Sequence, residues 1–421
     1  MPLPLQLPIF QNWSCHSCGG CCKQHAIEIT AEEKARIEGQ NWKAADGIPE
    51  DRPLFVKVGL FPWSRRWRLG HAADGGCVFL DPAGKCRIHA RFGEPAKPLA
   101  CRIYPYAFHP AGKAITVSLR FSCPSVVGNR GREVVAQKRD IQALQKLVVP
   151  EGAEKIAPPE VSPGQRLDWT ETTKIVDVLD QLLAADDVPV TVKLRRALRL
   201  VDLIGQSRFD KIRGPRLNEF LELVGQAATV EVDAIPELPE PSGTGRMQFR
   251  LLSAQYARKD TFAEQQAGPG NRWRLFRAAL RFARGTGTIP PLQEPFREVP
   301  FADLEPSFGG IPTEAEEILS RYLRVKIQGL HFCGAAYYGV PIVEGFQSLA
   351  LVIPVVLWIA RWLAVGDGRK TLEPDDVARA LAIADHHHGY SPAFGQGGFR
   401  GRVRLLARLD DIARLVNWYA R

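Results

Sequence analysis

The chain has 421 residues, of which 45% are hydrophobic and 24% charged, and its net charge is +9. This length predicts two or three domains, and the composition excludes an intrinsically disordered protein. The whole positive excess lies in residues 1–150, which carry 21 Lys and Arg against 12 Asp and Glu. Such a region could contact nucleic acid or an acidic surface, or it could offset the charge of anionic metal-bound thiolates, which is the explanation we favour.

The first residues, "MPLPLQLPIFQNW", have no basic start and contain three prolines, so they do not resemble a secretory signal. The expected location is therefore the cytoplasm, where thiols stay reduced. The most apolar run, Leu349 to Val365, contains Pro354 and Arg361 and is short for a membrane span. We interpret it as a buried helix and expect no membrane partner.

The N-terminal part contains short predicted elements. "HAIEIT" alternates like a strand, and Thr30 with Glu33 forms a capping box for a helix that stops at Gly39. "GCVFLDPAGKCRIH" predicts two short strands around a turn, and "KAITVSLRFSC" predicts another strand. A helix is expected at about residues 131–148. The predicted fold class is α+β, with a small cysteine-rich metal-binding domain followed by a mostly α-helical region.

Proline-rich segments divide the remainder. We predict a cysteine-cluster domain at 1–147, a linker at 148–168 and a helical region at 169–421 with breaks near 235–245 and 285–312. Helical periodicity is clear at Ile175 to Leu183, at Leu194 to Val201, and from about residue 313 onward. The apolar spacing of Leu405, Leu409, Ile412 and Val416 predicts one final helix.

Eight of the nine cysteines lie in the first 123 residues, and they are Cys15, Cys18, Cys21, Cys22, Cys77, Cys86, Cys101 and Cys123. Disulfides would need an oxidising compartment, and the adjacent pair within the first group cannot easily bond to each other. The short C-x2-C spacings suit thiolates that turn toward a metal. We therefore predict that these eight bind metal and that Cys333 is an inert core thiol.

Thiolate ligands suit both zinc and iron–sulfur clusters. Tandem C-x2-C pairs would indicate a zinc ribbon, but the C-x2-C-x2-C-C run is different. Its Gly19 and Gly20 let the backbone approach a cuboidal cluster closely, as in ferredoxin-type loops. We favour iron–sulfur and keep zinc as the alternative. The number of metal sites stays open.

Four motifs, "CHSCGGCC", "CVFLDPAGKCRIH", "PLACRIYPYAF" and "FSCP", resemble in identity and order the cysteine-cluster family named for its C-x2-C-x2-CC signature. They cover roughly residues 10–125. The resemblance implies a zinc- or iron-chelating domain that uses the eight cysteines. One branch of that family contains flagellin lysine-N-methylases of similar length, which implies a hypothesis of protein-lysine methylation with S-adenosylmethionine.

Several neighbours of the cysteines are weaker candidates. Arg102 and Tyr104 could order the loop or donate hydrogen bonds to a cluster, or they could be a surface ion pair and a core phenol. His89 follows Cys86 with ligand-like spacing, but with eight thiols present a neighbouring role is favoured over ligation. His16 and His25 are weaker still.

A run of three histidines and a glycine-rich segment lie close together near the C-terminus. The histidines of "DHHHGYSP" point in different directions on a helix, so they predict a helix C-terminus rather than one site. "FGQGGFRGR" predicts a plain loop, with anion binding by Arg400 and Arg402 as the alternative. The C-x3-C-x2-C signature of radical S-adenosylmethionine enzymes and a G-x-G-x-x-G nucleotide fingerprint are both missing from the sequence, so no S-adenosylmethionine site is predicted.

Three functional hypotheses follow. The first is an iron–sulfur protein that methylates lysines of a protein substrate with S-adenosylmethionine. The second is a non-catalytic binding module stabilised by zinc or a cluster, and the third is an electron-transfer protein. "WSRRWRLGH" could touch RNA, but a solvated loop is favoured and nucleic acid is not an expected partner. The sequence indicates no catalytic residue and no oligomeric state.

Overall fold

The computed structural model describes residues 3–59, 66–186, 188–258 and 269–421. It is 53% helix and 11% strand, with small sheets in the N-terminal region and helices beyond them, which confirms the predicted fold class. Residues 63–65 of the Arg- and Trp-containing segment lie outside the described residues.

The described helices are α1 (Gly20–Gln24), α2 (Ala31–Glu38), α3 (Arg87–Phe92), α4 (Leu99–Ile103), α5 (Pro124–Val127), α6 (Lys138–Val148), α7 (Trp169–Ala184), α8 (Val190–Gln206), α9 (Pro215–Asp233), α10 (Gly243–Ala257), α11 (Pro269–Arg284), α12 (Thr313–Gln328), α13 (Ile342–Ala350), α14 (Val352–Gly366), α15 (Pro374–His387), α16 (Gly397–Arg408) and α17 (Asp411–Ala420). The described strands are β1 (Leu5–Gln6), β2 (Asn12–Trp13), β3 (Glu28–Ile29), β4 (Phe55–Val58), β5 (Arg66–Leu69), β6 (Tyr106–Ala111), β7 (Ala114–Leu119), β8 (Arg132–Glu133), β9 (Glu160–Ser162), β10 (Gln165–Arg166), β11 (Thr288–Ile289) and β12 (Val299–Pro300).

A small lobe is built on the sheet β3-β5-β4, in which both pairings are antiparallel. The predicted capping box of α2 is confirmed, because Thr30 Oγ1 accepts from Glu33 N at 3.1 Å and Glu33 Oε2 accepts from Thr30 N at 2.9 Å. The lobe has its own core of Ile29, Ile37, Ile48, Leu69, Val78, Phe79 and Ile88.

A second sheet, β1-β7-β6, belongs to the main body. Strand β1 runs parallel to β7, and β6 pairs with it antiparallel from Tyr106–Leu119 to Ala111–Ala114. This sheet packs directly on the end of α12, where Thr116 Oγ1 donates to the Gly329 carbonyl at 3.2 Å. A Cβ on Gly329 would lie 2.5 Å from Ser118 Cβ, so this close approach requires glycine.

The main core extends through the chain from Leu5 to Tyr419. It includes the β6–β7 hairpin, buried residues Ala153 and Val161 between α6 and α7, and the helices beyond. The segment predicted as a linker therefore contributes side chains to this core and carries the hairpin β9–β10. The domain boundaries at 147 and 168 stay predictions.

The apolar run from Leu349 to Val365 includes the end of α13 and nearly all of α14. One helical stretch, Ile342–Gly366, is apolar and long enough to cross a membrane, but 89% of its most hydrophobic window is buried inside the protein. Every residue from Val352 to Ala364 is buried, which agrees with the predicted buried helix. The charge within it, Arg361, is fully buried.

The Arg361 guanidinium joins the chain's C-terminal segment to the core. Its Nη atoms donate to the carbonyl oxygens of Leu304, Pro306, Tyr419 and Arg421 at 2.8 to 3.0 Å. Because a guanidinium has five donors in a planar fork, one side chain satisfies carbonyls from two separate segments.

Two local predictions near the C-terminus were wrong. The expected single last helix is two helices, α16 and α17, separated at Asp410, whose φ is 54°. The glycine-rich segment is mostly the start of α16 and not a loop, because it follows a 3-10 turn at Pro392–Gly395 and packs Phe399 into the core. Arg400 forms an ion pair with Glu344 at 2.7 Å, so its positive charge is already neutralised and is not left for a bound anion.

A buried polar cluster links the hairpin to α15. Lys326 Nζ lies 2.6 Å from Asp385 Oδ1, and both side chains are 0% exposed. Lys326 also donates to the Leu119 carbonyl at 3.1 Å, and Ser122 N donates to Asp385 Oδ2 at 3.1 Å. Burial lowers the pKa of Lys326 and raises that of Asp385, and each partner's charge opposes the other's shift.

Histidines surround this pair and are held neutral. His331 Nδ1 lies 3.2 Å from Lys326 Nζ, and the His331 ring stacks on His109 with centroids 4.8 Å apart. Burial, reinforced by the Lys326 charge, lowers the pKa of His109 to about 3 and that of His331 well below its usual value. His388, 2.9 Å from the Tyr256 hydroxyl, has its pKa lowered for the same two reasons.

We expect Arg361→Met to lower the free energy of unfolding by on the order of 3 kcal/mol, because several buried carbonyls lose their donor. Chemical denaturation would measure it. Arg408→Met, at an exposed position of α16, is the control and should change stability by less than about 0.5 kcal/mol. Equal stabilities of the two variants would contradict the role given to Arg361.

Acid should destabilise the fold through the neutral histidines. A histidine with a lowered folded-state pKa takes up a proton on unfolding once the pH is below about 6.5, so its stabilising contribution is present above that pH and is lost as the pH falls toward the folded-state value. Each such histidine contributes up to about 1.4 kcal/mol per pH unit. Urea titrations from about pH 7 to pH 5 should show this fall. The fall should be shallower in His109→Gln, and an identical slope would contradict the prediction.

Candidate metal centre

The first cysteine group is held by pairing of its flanks. Strand β2 pairs with β8, Ser14 N donates to the Arg130 carbonyl at 3.0 Å, and Gln137 Nε2 donates to the Trp13 carbonyl at 2.8 Å. The chain then turns through Gly19, whose φ is 67°, into α1, which carries Cys21 and Cys22. The short helix directs these two thiols, while Cys15 and Cys18 lie on the preceding loop.

The second group is joined to the first through the backbone. Cys77 N donates to the Cys22 carbonyl at 2.9 Å. Cys86 pairs with Leu80 in an isolated bridge around a turn in which Asp81 Oδ1 accepts from Lys85 N at 2.7 Å. The prediction of two short strands here was wrong, because this segment forms only isolated bridges, His71 with Cys77 and Leu80 with Cys86.

The turn of the second group packs directly on the first loop. A Cβ on Gly84, whose φ is 79°, would lie 2.1 Å from the Ser17 carbonyl oxygen. This position therefore requires glycine both for its left-handed backbone and for the close approach. Through this contact the second cysteine segment fixes the loop between Cys15 and Cys18.

The last two cysteines come from the element ends beside the β6–β7 hairpin. Cys101 lies on α4, and Cys123 is the residue before α5. Cys123 is buried against the main core, whereas Cys77 and Cys86 pack against the core of the small lobe. The thiols therefore connect two parts of the molecule with separate hydrophobic cores.

All eight predicted ligands line one cavity of about 1440 Å³. They come from four segments, which span residues 15–22, 77–86, 101 and 123. None of the nine cysteines is in a disulfide. Cys333 is buried in the main core and does not line the cavity, which is the separation that the sequence predicted.

Burial keeps several of these thiols protonated. It raises the pKa of Cys77 and of Cys101 to about 12, and the neighbouring thiols of the cavity reinforce both shifts. The pKa of Cys21 is raised by its contact with Cys22, 4.0 Å away between Sγ atoms, and by burial. A bound cation would reverse this balance, because a coordinating thiol is deprotonated outright.

The donor chemistry of the cavity is that of a thiolate-bound metal centre. Within the described ranges, no three His, Cys, Asp or Glu side chains form a group that could hold one ion. Thiolate ligands suit both zinc and iron–sulfur clusters.

The weaker candidates differ in their contacts. Arg102 forms an ion pair, with Glu94 at 2.9 Å, which is the second of the two roles considered for it above. Tyr104 lines the cavity with its hydroxyl 3.3 Å from Ser122 Oγ. His16, His25 and His89 also line the cavity. His16 Nδ1 lies 3.0 Å from Ser125 Oγ, and His25 stacks on His386 with centroids 4.9 Å apart.

Sequence reasoning missed three residues in the lining of the cavity. Arg120, His386 and Tyr390 line the same cavity although they are not near the first cysteines in sequence. As predicted, the three consecutive histidines point in different directions, since His387 contacts the Arg258 carbonyl and His388 contacts Tyr256. The third histidine, His386, lines the cavity together with the cysteines, and the sequence offered no signal of this.

The shared cavity defines a protein class, namely a cysteine-cluster metal-binding protein. Residues 14–124 match the family model CxxCxxCC, described as a "Putative zinc- or iron-chelating domain". The resemblance to that family is thereby confirmed for this part of the chain. No curated protein and no solved structure matches the chain.

We expect Cys86→Ser to lose metal and solubility together, because Cys86 lines the cavity and packs on the small core. Cys18→Ser should lose metal in the same way. Cys333→Ser is the matched control and should keep its metal. Metal content per protein, measured by elemental analysis after anaerobic purification, checks all three, and loss of metal from Cys333→Ser would show that the ligand set is wrong.

Proposed function

We propose that the protein is an iron–sulfur enzyme that transfers a methyl group from S-adenosylmethionine to a lysine of a protein substrate in the cytoplasm. The observation that carries the proposal is the cavity of about 1440 Å³, whose lining contains eight thiols and also polar and aromatic side chains. A metal centre alone does not need those further side chains.

The iron–sulfur part rests on the donor set. Eight thiols line one cavity, which is more than the four ligands that a single zinc ion takes and suits a centre with several metal atoms. Gly19, whose φ is 67°, turns the chain sharply into α1, and cluster loops use glycines for such close turns. When bound, a cluster of this kind supplies one-electron chemistry or structural support, and the protein's own contribution is to hold the thiolates and limit their exposure.

The methyl-transfer part rests on the resemblance to the lysine-N-methylase branch and on the size of the cavity. In this reaction the bond between the sulfonium sulfur and the methyl carbon breaks, and a bond from the neutral lysine nitrogen to that carbon forms. S-adenosylhomocysteine leaves with the electron pair, and the amine proton passes to water. A half-buried cavity would favour the neutral amine, because burial disfavours a charged ammonium.

A specific observation favours a second candidate, a non-catalytic module stabilised by its metal. Among the described residues, the separate core of the small lobe has seven buried hydrophobic residues, and its partly buried neighbours include Cys77 and Cys86. A bound metal would supply folding free energy to so small a core. On that alternative the metal binds but no methyl donor does.

Purification separates these functions. Protein prepared anaerobically should be brown, with broad visible absorption and with iron and acid-labile sulfide bound. Colourless protein containing stoichiometric zinc would overturn the iron–sulfur proposal. The holo-protein should then bind S-adenosylmethionine in a calorimetric titration and label a protein lysine. Brown protein that binds no S-adenosylmethionine would instead support the non-catalytic module.

A further inference from the structure

Five residues in the lining of the metal cavity contact one another, and none of them is a cysteine. They are His25, Tyr104, Arg120, His386 and Tyr390, which we call the Arg120 wall. They come from three distant parts of the chain, namely the end of α1, the two ends of the β6–β7 hairpin and the end of α15. Residues from both ends of the chain thus meet in the lining of the cavity that holds the thiols.

Arg120 is held in a fixed orientation on this wall. Its guanidinium carbon lies 3.6 Å from the centroid of the Tyr390 ring and 5.7 Å from that of Tyr104. Its Nη2 donates to the His386 carbonyl at 3.4 Å. A guanidinium already clamped against aromatic rings loses little further freedom when it binds a planar anion.

The charge of Arg120 has no carboxylate partner in the described part of the chain. Within those residues no Asp or Glu oxygen lies within 4.0 Å of it, and the nearby Asp385 is already bound to Lys326 and to Ser122 N. Arg120 Nε is buried without a hydrogen-bond acceptor among the described groups. Leaving such a donor unsatisfied costs free energy, so a ligand atom that accepts from it would be favoured.

Two further polar atoms on the same wall are in the same situation. His25 Nε2 and the Tyr390 hydroxyl are buried, and neither has a hydrogen-bond partner in the described residues. Burial and the Arg120 charge lower the pKa of His25 to about 3, so this imidazole is neutral at pH 7. The wall therefore presents one fixed positive charge with neutral hydrogen-bonding groups beside it.

We propose that the Arg120 wall binds the carboxylate of an amino-acid-like ligand held in the same cavity as the metal centre. A single guanidinium matches a planar monoanion, with which it can form two parallel hydrogen bonds. A phosphate dianion would need further cations that the wall does not supply. The proposal deepens the proposed function and rests on it for the identity of the natural ligand, since S-adenosylmethionine has an amino-acid carboxylate at one end.

The test uses intact holo-protein and two probes that differ only in the charged group, L-methionine and L-methioninamide. Isothermal titration should show that the wild type binds methionine at least 10-fold more tightly than the amide, because a charge-assisted pair contributes about 1.5–3 kcal/mol. Arg120→Met should lose this preference, and Arg120→Lys should keep part of it. Arg102→Met is the control and should bind as the wild type does, because Arg102 lines the cavity but already pairs with Glu94.

Iron and sulfide are measured on each variant. Loss of the metal from Arg120→Met would mean that Arg120 balances the thiolates, and this would overturn the proposal. Equal binding of the two probes by the wild type, binding of neither, or undiminished methionine binding by Arg120→Met would overturn it as well.

A parallel titration with S-adenosylmethionine distinguishes the two proposals. Methionine binding that depends on Arg120, without binding of S-adenosylmethionine, leaves the carboxylate site standing and removes methyl transfer. If S-adenosylmethionine binds and Arg120→Met does not weaken that binding, the methyl-transfer proposal stands and the carboxylate site is removed.

Discussion

The buried ion pair between Lys326 and Asp385 determines how the metal cavity is assembled. Lys326 holds the end of β7 through the Leu119 carbonyl, and Asp385 holds the next turn through Ser122 N, directly before Cys123. Taking two charges out of water is expensive, and the pair is tolerable only because further hydrogen bonds satisfy it. These same bonds fix the last cysteine to the helical body, and they place the end of α15, which carries His386, beside it.

The remaining cysteines depend on a weaker support. The small lobe has a separate core, with seven buried hydrophobic residues in the described part of the chain, and it approaches the main body across the cavity. Hydrophobic burial alone stabilises so small a unit only marginally. The backbone bond from Cys77 to Cys22 and the contact of Gly84 with Ser17 hold the first two segments together, but the cavity between the cores is where a metal would add most to stability.

Local features were predictable from the sequence and long-range ones were not. The capping box of α2, the strand β7 and the buried apolar helix follow from spacing within a few residues, and the grouping of eight thiols followed from their unusual density. The division of the final apolar pattern into α16 and α17 did not, because the left-handed Asp410 interrupts the helix without disturbing the periodicity. The Arg120 wall could not be predicted either. Its members are ordinary Arg, His and Tyr residues that only the packing of β7 against α12 and α15 brings to the thiols.

The two sides of the cavity differ in what they need from a ligand. On the thiol side, protons held by burial must leave when a cation binds, and Lys97 is placed to ease the resulting negative charge. On the other side, Arg120 is ordered between two phenols and carries a charge that no described carboxylate neutralises. A site that only stored metal would have no use for this second, fixed charge. Two members of the wall, His386 and Tyr390, come from the C-terminal region, so the proposed carboxylate site would use both ends of the chain. Asp385, next to His386, also holds Ser122 directly before Cys123, so the same contact supports a thiol and the wall.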